Sequence, residues 1–187
     1  KNTEIYQGMK VIDSELGGTT PMDIIIKFKN EQNDEFLNLE DEFTEDSEFE
    51  DDIFSDDLFS DSESNIWFTK DKIRTIKQIH KYLENKDEIG KVISIYSLID
   101  VANKINIDEL SIFELSVLYN EIPIQYKSEL IDPYLNIDEN MVKISARIKD
   151  SEDIKRVKLV KEINNFIINS NENIDEIKIN GLLVLYN

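Results

Sequence analysis

The alternation of residues 141–149 constrains this chain more than any other feature. Val142, Ile144, Ala146 and Ile148 fall on one side, and Lys143, Ser145, Arg147 and Lys149 on the other. A period of two is the spacing of a strand with one buried and one wet face. The period then changes. Asp150 stands where a helix cap belongs, with Asp153 three residues on, as in a capping box. Ile154, Val157, Val160, Ile163 and Ile167 follow at helical spacing, which predicts a helix over about 151–169. Residues 174–180 return to strand spacing, with Ile177 and Ile179 inward.

The same succession occurs earlier. Residues 22–29 read as a strand, with Ile24, Ile26 and Phe28 on one face and Asp23, Ile25, Lys27 and Lys29 on the other. Ile73, Ile76, His80 and Leu83, with Ile79 beside them, predict a helix over 70–85. Val92, Ile93, Ile95 and Tyr96 mark a second strand over 91–96. Two strand–helix–strand halves predict an α+β fold, a ferredoxin-like βαβ-βαβ sandwich with a four-stranded sheet and two helices on one face. The other sheet face is left to meet a partner or the inserted helices.

Three further pieces surround these halves within a single domain spanning 1–187. An N-terminal helix over 2–16 has the stripe Ile5, Met9, Ile12 and Leu16, and Gly17-Gly18 ends it through the left-handed backbone that glycine takes cheaply. A helical insertion occupies 97–139, with helices at 97–104 and 108–121, the latter carrying Leu110, Phe113 and Val117. Pro123 ends that helix, and an irregular connection from Tyr126 to Asn136 contains Pro133. The third piece is an acidic insertion, residues 31–65.

That insertion holds 16 Asp and Glu and no Lys or Arg. The formal net charge of −19 is therefore concentrated in one segment, since the rest of the chain has 24 acids against 21 bases. By charge alone such a segment does not build a core. Phe36, Phe43, Phe49, Phe54 and Phe59 recur within it every five to seven residues, and Asn65-Ile66-Trp67-Phe68 closes it. Phe43, Phe49, Phe54, Phe59, Trp67 and Phe68 are the candidate contacts for an apolar cargo or a partner. The competing role for the same aromatics is to anchor the insertion on the domain. Its carboxylates are hard-oxygen ligands of the kind calcium takes, but no glycine supplies the turn of an EF-hand loop.

Several classes of chemistry are excluded. The chain has no cysteine and one histidine, His80, so thiolate nucleophiles, Cys-bound zinc and two-histidine metal sites within one chain are ruled out. No phosphate-binding glycine loop, dinucleotide fingerprint or serine elbow is present. No basic stripe is in sight to neutralise phosphates, so nucleic acid is not an expected partner. No run approaches the roughly 18 apolar residues that span a bilayer. The chain begins at Lys1 and stops inside the apolar run Gly181–Tyr186, as a piece excised from a longer protein does. Neither catalysis nor a cofactor is expected.

The order of the motifs resembles the first large extracytoplasmic loop of RND-superfamily exporters, in the MMPL-like, hopanoid-exporter-like and Patched-like branch. Leu16-Gly17-Gly18 is followed by the apolar strand Asp23–Phe28. The stretch from Ile89-Gly90-Lys91-Val92 to Ser97-Leu98 is similar to the family's, as is the close at Ile177–Gly181, just ahead of the second membrane helix. The resemblance covers nearly the whole chain outside 31–65. It implies a porter domain of ferredoxin-like topology on the periplasmic side of the bacterial inner membrane. That domain would bind or pass hydrophobic or lipid-like cargo for a proton-driven exporter. The implied partners are a hydrophobic small molecule or lipid, the rest of the transporter (membrane helices and a second porter domain), and further copies of the chain in a homo-oligomer. The family's proton-relay carboxylates lie in membrane helices, so no relay residue is carried over to this chain. A free-standing ferredoxin-like interaction module, with the acidic segment recruiting a partner, is the alternative. A calcium-responsive extracellular domain is the third.

Overall fold

The computed structural model describes residues 3–15, 17–29, 67–106, 109–149 and 156–181. In chain order the elements are α1 (Glu4–Glu15), β1 (Thr20–Phe28), α2 (Lys70–Glu84), β2 (Ile89–Ile93), α3 (Ile95–Asn106), α4 (Ile112–Glu121), β3 (Leu135–Asn136), β4 (Met141–Ile148), α5 (Arg156–Ile168) and β5 (Ile174–Gly181). The strands run β2-β4-β1-β5 across the sheet, and every neighbouring pair is antiparallel. The short β3 pairs with Met141 and Val142 of β4, while β2 takes Ser145–Ile148. The two therefore divide one edge of β4 between them. The chain is α+β, and this order is that of a ferredoxin-like βαβ-βαβ sandwich, in which each helix crossover passes over one intervening strand.

The period of two decides which face is buried. On β1, Met22, Ile24 and Ile26 are 0% exposed and Phe28 is 1%. Val142, Ile144, Ala146 and Ile148 of β4 share that face, opposite Ile26, Ile24, Met22 and Thr20. Against it lie Ile76, Ile79 and Leu83 of α2 and Ile163 and Ile167 of α5, all 0% exposed. The two helices touch through Tyr82 and Phe166, whose rings stack with centroids 3.7 Å apart. Both helices thus lie on one side of the sheet. Ile99, Leu115, Ile131 and Leu135 from the insertion join the same core. The inserted helices extend the helical layer beside α2, and among the described residues no helix buries the other sheet face.

Local chemistry sets the boundaries. Thr69 caps α2, its side chain accepting from the Lys72 N–H. Ser111 and Glu114 form a full capping box at the start of α4. The predicted second strand ends early, at Ile93. Ser94 accepts from the Tyr96 N–H at 3.2 Å, and Ser97 accepts from the Ser94 N–H at 3.1 Å. This reciprocal cap turns Ile95 and Tyr96 into the first turn of α3. The connection predicted as irregular is partly helical: a turn at Ile124–Tyr126 runs into a π-turn at Lys127–Ile131.

Three apolar stripes are covered differently from what their spacing suggests. On α1, Ile5 is 77% exposed and Ile12 is 51%. Amphipathic spacing specifies a helix but does not supply the surface that would cover it. On α5, Val157 is 46% exposed, and the buried stripe is Leu159, Ile163 and Ile167. At about 100° per residue Leu159 lies roughly 40° from Ile163 around the helix, whereas Val157 lies roughly 120° away, outside the stripe. A similar exchange in α4 leaves Phe113 exposed and buries Leu115. Asp150, Asp153 and Ile154 lie outside the described residues.

Gly17 ends α1 as predicted, with φ of +70°. The Gly18 N–H donates to the Asp13 carbonyl at 2.7 Å, the long-range bond of a Schellman turn, and the Thr19 hydroxyl donates to the Asp13 carboxylate at 2.8 Å. This turn presses on β2. Gly90 is the extra residue where the pairing of β2 with β4 shifts between Ile89 and Lys91. A methyl group at Gly90 overlaps the Gly17 carbonyl, which is backbone and cannot swing aside. Gly90→Ala is therefore expected to lower unfolding stability by about 1–3 kcal/mol, the range of an overpacked core. Gly8→Ala in α1, where nothing lies within 4 Å of the added methyl group, is expected to cause no loss. Urea unfolding of both variants checks the contrast.

Candidate functional site

The sheet has two unlike ends and one uncovered face. At the first end, Met22 near the start of β1 stands opposite Gly181 at the close of β5. Thr20 faces Ile148 at the close of β4, and Ile148 also faces Ile89 at the start of β2. The close approach of Gly17 and Gly90 is here as well. The glycine-bearing motifs from three distant parts of the sequence thus converge on one end. The chain enters β1 and leaves β5 side by side.

At the second end, Phe28 closes β1 opposite Ile174. Asn140, in the left-handed region with φ of 53°, donates from its side chain to the carbonyls of Phe28 and Lys29 at 3.1 and 3.0 Å. Its own carbonyl accepts from the Phe28 N–H at 3.0 Å. Asn171 donates to Asp71 at 2.6 Å and to Thr75 at 2.7 Å, tying the loop before β5 to the first turns of α2. Lys72 is 6% exposed, and its ammonium group lies 6.0 Å from the Phe28 ring centroid and 5.6 Å from that of Trp67. Residues 29 and 67, which bracket the acidic segment, therefore sit at this same end.

Of the candidate contacts, Trp67 is 3% exposed and Phe68 is 4%. They meet edge to face at 5.1 Å, and Phe68 leans on Tyr119 at 5.6 Å. Side chains covered in this way hold the returning chain onto the core, the anchoring role weighed above. Phe36, Phe43, Phe49, Phe54 and Phe59 lie outside the described residues.

The uncovered face carries the outward residues of four strands. Lys91 and Arg147 are Cα partners across β2 and β4, and Arg147 faces Pro21 on β1. Ile25 is flanked by Lys143 on β4 and Lys178 on β5, and Lys27 by Met141 and Glu176. Asp23 stands between Ser145, which donates to it at 2.7 Å, and Asn180. Lys178 pairs with Glu176 at 3.0 Å, and Lys143 lies 5.6 Å from the Tyr134 ring. Five cations thus share the face with two carboxylates and with the apolar Ile25, Ile93 and Met141. The alternation in 142–149 showed the Lys143 and Arg147 part of this face, but only strand order brings Lys91, Lys27 and Lys178 beside them.

His80, 3% exposed, is the one buried histidine. Its Nδ1 is 2.8 Å from Ser94 Oγ and its Nε2 is 3.3 Å from a Glu84 carboxylate oxygen. A carboxylate only accepts, so Nε2 carries the proton and Nδ1 accepts from the Ser94 hydroxyl, which itself accepts from the Tyr96 N–H. A serine–histidine–glutamate chain has the residue types of a hydrolase triad. Ser94, however, is 0% exposed, so its oxygen meets no substrate, and the chain of bonds locks the start of α3 to α2. Among the described residues no group of three or more His, Cys, Asp or Glu is placed to hold a metal ion. A shallow groove of about 440 Å³ between α5 and β5, lined by Val160, Lys161, Asn164, Asn165 and Ile179, carries no charged constellation.

Comparison with known proteins returns no matching family model, no matching curated protein and no matching solved structure.

Burial lowers the His80 pKa from its ordinary 6.5 against the opposing pull of Glu84. Below pH 6.5 the unfolded chain then binds more protons than the folded one, so stability declines as pH falls through the interval beneath that value. Protonated Nδ1 would also face the Ser94 oxygen as a second donor. Thermal melting between about pH 7.5 and 5.5 is expected to show this decline. The His80→Gln variant is expected to flatten it, whatever its stability at pH 7.5.

Proposed function

We propose that this chain is the extracytoplasmic porter-type domain of an RND-superfamily exporter. It would stand on the periplasmic side of the bacterial inner membrane and bind or pass hydrophobic, lipid-like cargo. The observation that carries the reading is the pairing of Met22 with Gly181. A domain looped out between two membrane helices must receive and return its chain at one end, and this sheet does so at its glycine end. The acidic segment is rooted at the opposite end, away from where the membrane would lie. Membrane helices and a second porter domain are the partners this reading implies, with a homo-oligomer as an assembly it permits. No helix among the described residues is long and apolar enough to cross a membrane, so proton-driven work falls to segments beyond this domain.

A free-standing interaction module is the second reading, and the uncovered cationic sheet face favours it. The parent coding sequence separates the two. The exporter reading expects apolar stretches of about 20 residues close before residue 1 and close after residue 187. In the intact protein it further expects residues of this domain to be labelled by a membrane-impermeant amine reagent from the periplasmic side alone. An open reading frame bounded near both residues, or labelling only from the cytoplasmic side, overturns it in favour of the module.

A further inference from the structure

We propose that the uncovered face of the sheet is the seat of the acidic segment, residues 31–65 of the same chain. The inference stands apart from the exporter reading, because it uses only the charges of this domain. Lys27, Lys91, Lys143, Arg147 and Lys178 share the paired positions of that face with Asp23 and Glu176. This is a positive excess in a chain whose net charge is −19. The segment supplies the complement, 16 carboxylates with no base. No other stretch of the sequence has that composition.

The placement of the segment's ends carries the argument further. Lys27, the first cation of the face, is two residues before Lys29, where the described chain halts. The chain resumes at Trp67, held beside Phe28 through Lys72. Both ends therefore lie at the same end of the sheet, the chain leaving beside Lys27 of the outward face and returning at Trp67 on the helix-covered side. The face is roughly 25 Å long at about 3.3 Å per strand residue, and 35 residues of chain reach across it and back. Tethering at both ends makes the encounter intramolecular, with an effective concentration on the order of millimolar. The face also offers Ile25, Ile93 and Met141 between its cations, apolar ground suited to phenylalanines spaced five to seven residues apart. Charge sets the partner and the aromatics supply contact.

The test is zero-length carbodiimide coupling of the unaltered chain at low protein concentration, which joins a lysine amine to a carboxylate only where they touch. Mass spectrometry then maps the joined pairs. The expected links run from acids of 31–65 to Lys27, Lys91, Lys143 and Lys178, within one copy. Their yield falls several-fold between about 0.05 and about 1 M salt, as screening shortens from roughly 14 to 3 Å. Charge reversal by Lys143→Glu with Arg147→Glu, both on the wet face, is expected to lower the yield at Lys91 and Lys178 as well. The salt series needs no variant, so it decides the matter even if the reversal fails to fold. Links directed mainly to helix lysines such as Lys104, Lys158 and Lys161 overturn the proposal. So do links found only between two copies, which would assign the face to a second chain, and so does an absence of links to the four face lysines.

Discussion

Strand β1 sets the rest of this structure. It lies between β4 and β5 and is paired along most of its length on both sides. A strand held on both edges has no freedom of register. A slip of one residue would carry Met22, Ile24, Ile26 and Phe28 to the wet face and Asp23 and Lys27 into the core. The cost of burying those charges unpaired far exceeds the stability of a domain this size. Everything else is aligned to that choice. Two helices cover the apolar side of β1, and the polar side inherits whatever β4 and β5 bring to the same rows.

Periodicity alone makes much of this legible in the sequence. Strands β1, β4 and β5, helix α2 and the glycine stop at Gly17 stand within a few residues of where spacing puts them. The failures share a cause. Spacing reports which residues of an element are apolar, not what lies opposite them. Ile5 and Ile12 form a sound helical stripe that stays largely exposed. Val157 fits the i, i+3 count but lies roughly 120° around the helix from Ile163, so the angular position of Leu159, roughly 40° away, puts it in the core instead. Tyr96 fits a strand by composition, yet two serine hydroxyls redirect the backbone at Ser94. Serine favours caps because its short side chain reaches nearby N–H groups, so the Ser94–Ser97 pair was the available signal. The contact of Gly17 with Gly90 left no local signal at all, because it joins positions more than 70 residues apart.

The buried polar groups illustrate a second limit of reading residue types. Ser94, His80 and Glu84 name a catalytic trio until exposure is considered. A nucleophile must reach its substrate, and an oxygen with no accessible surface, already bonded to an amide, does not. What the trio does is structural. It satisfies a buried histidine on both nitrogens and fastens α3 to α2, beside the Tyr96 ring that packs 5.3 Å from the imidazole. Burial favours the neutral imidazole while the Glu84 carboxylate favours the imidazolium, and burial prevails.

Charge and topology together divide the domain into regions with different tasks. The sheet's first end gathers glycines, where backbones touch and the chain passes in and out. Its second end gathers ring systems, a buried lysine and side-chain amides around the roots of the acidic segment. Between them lies a face richer in cations than the body as a whole. One segment has no base at all, and the paired positions of one sheet face hold five cations against two acids. Like charges crowded on a sheet repel one another and reduce stability unless something offsets them. Lys178 has Glu176 and Lys143 has the Tyr134 ring, but Lys91 and Arg147 are Cα partners of one sign. An acidic partner that relieved this repulsion would stabilise the fold by the same contacts through which it bound.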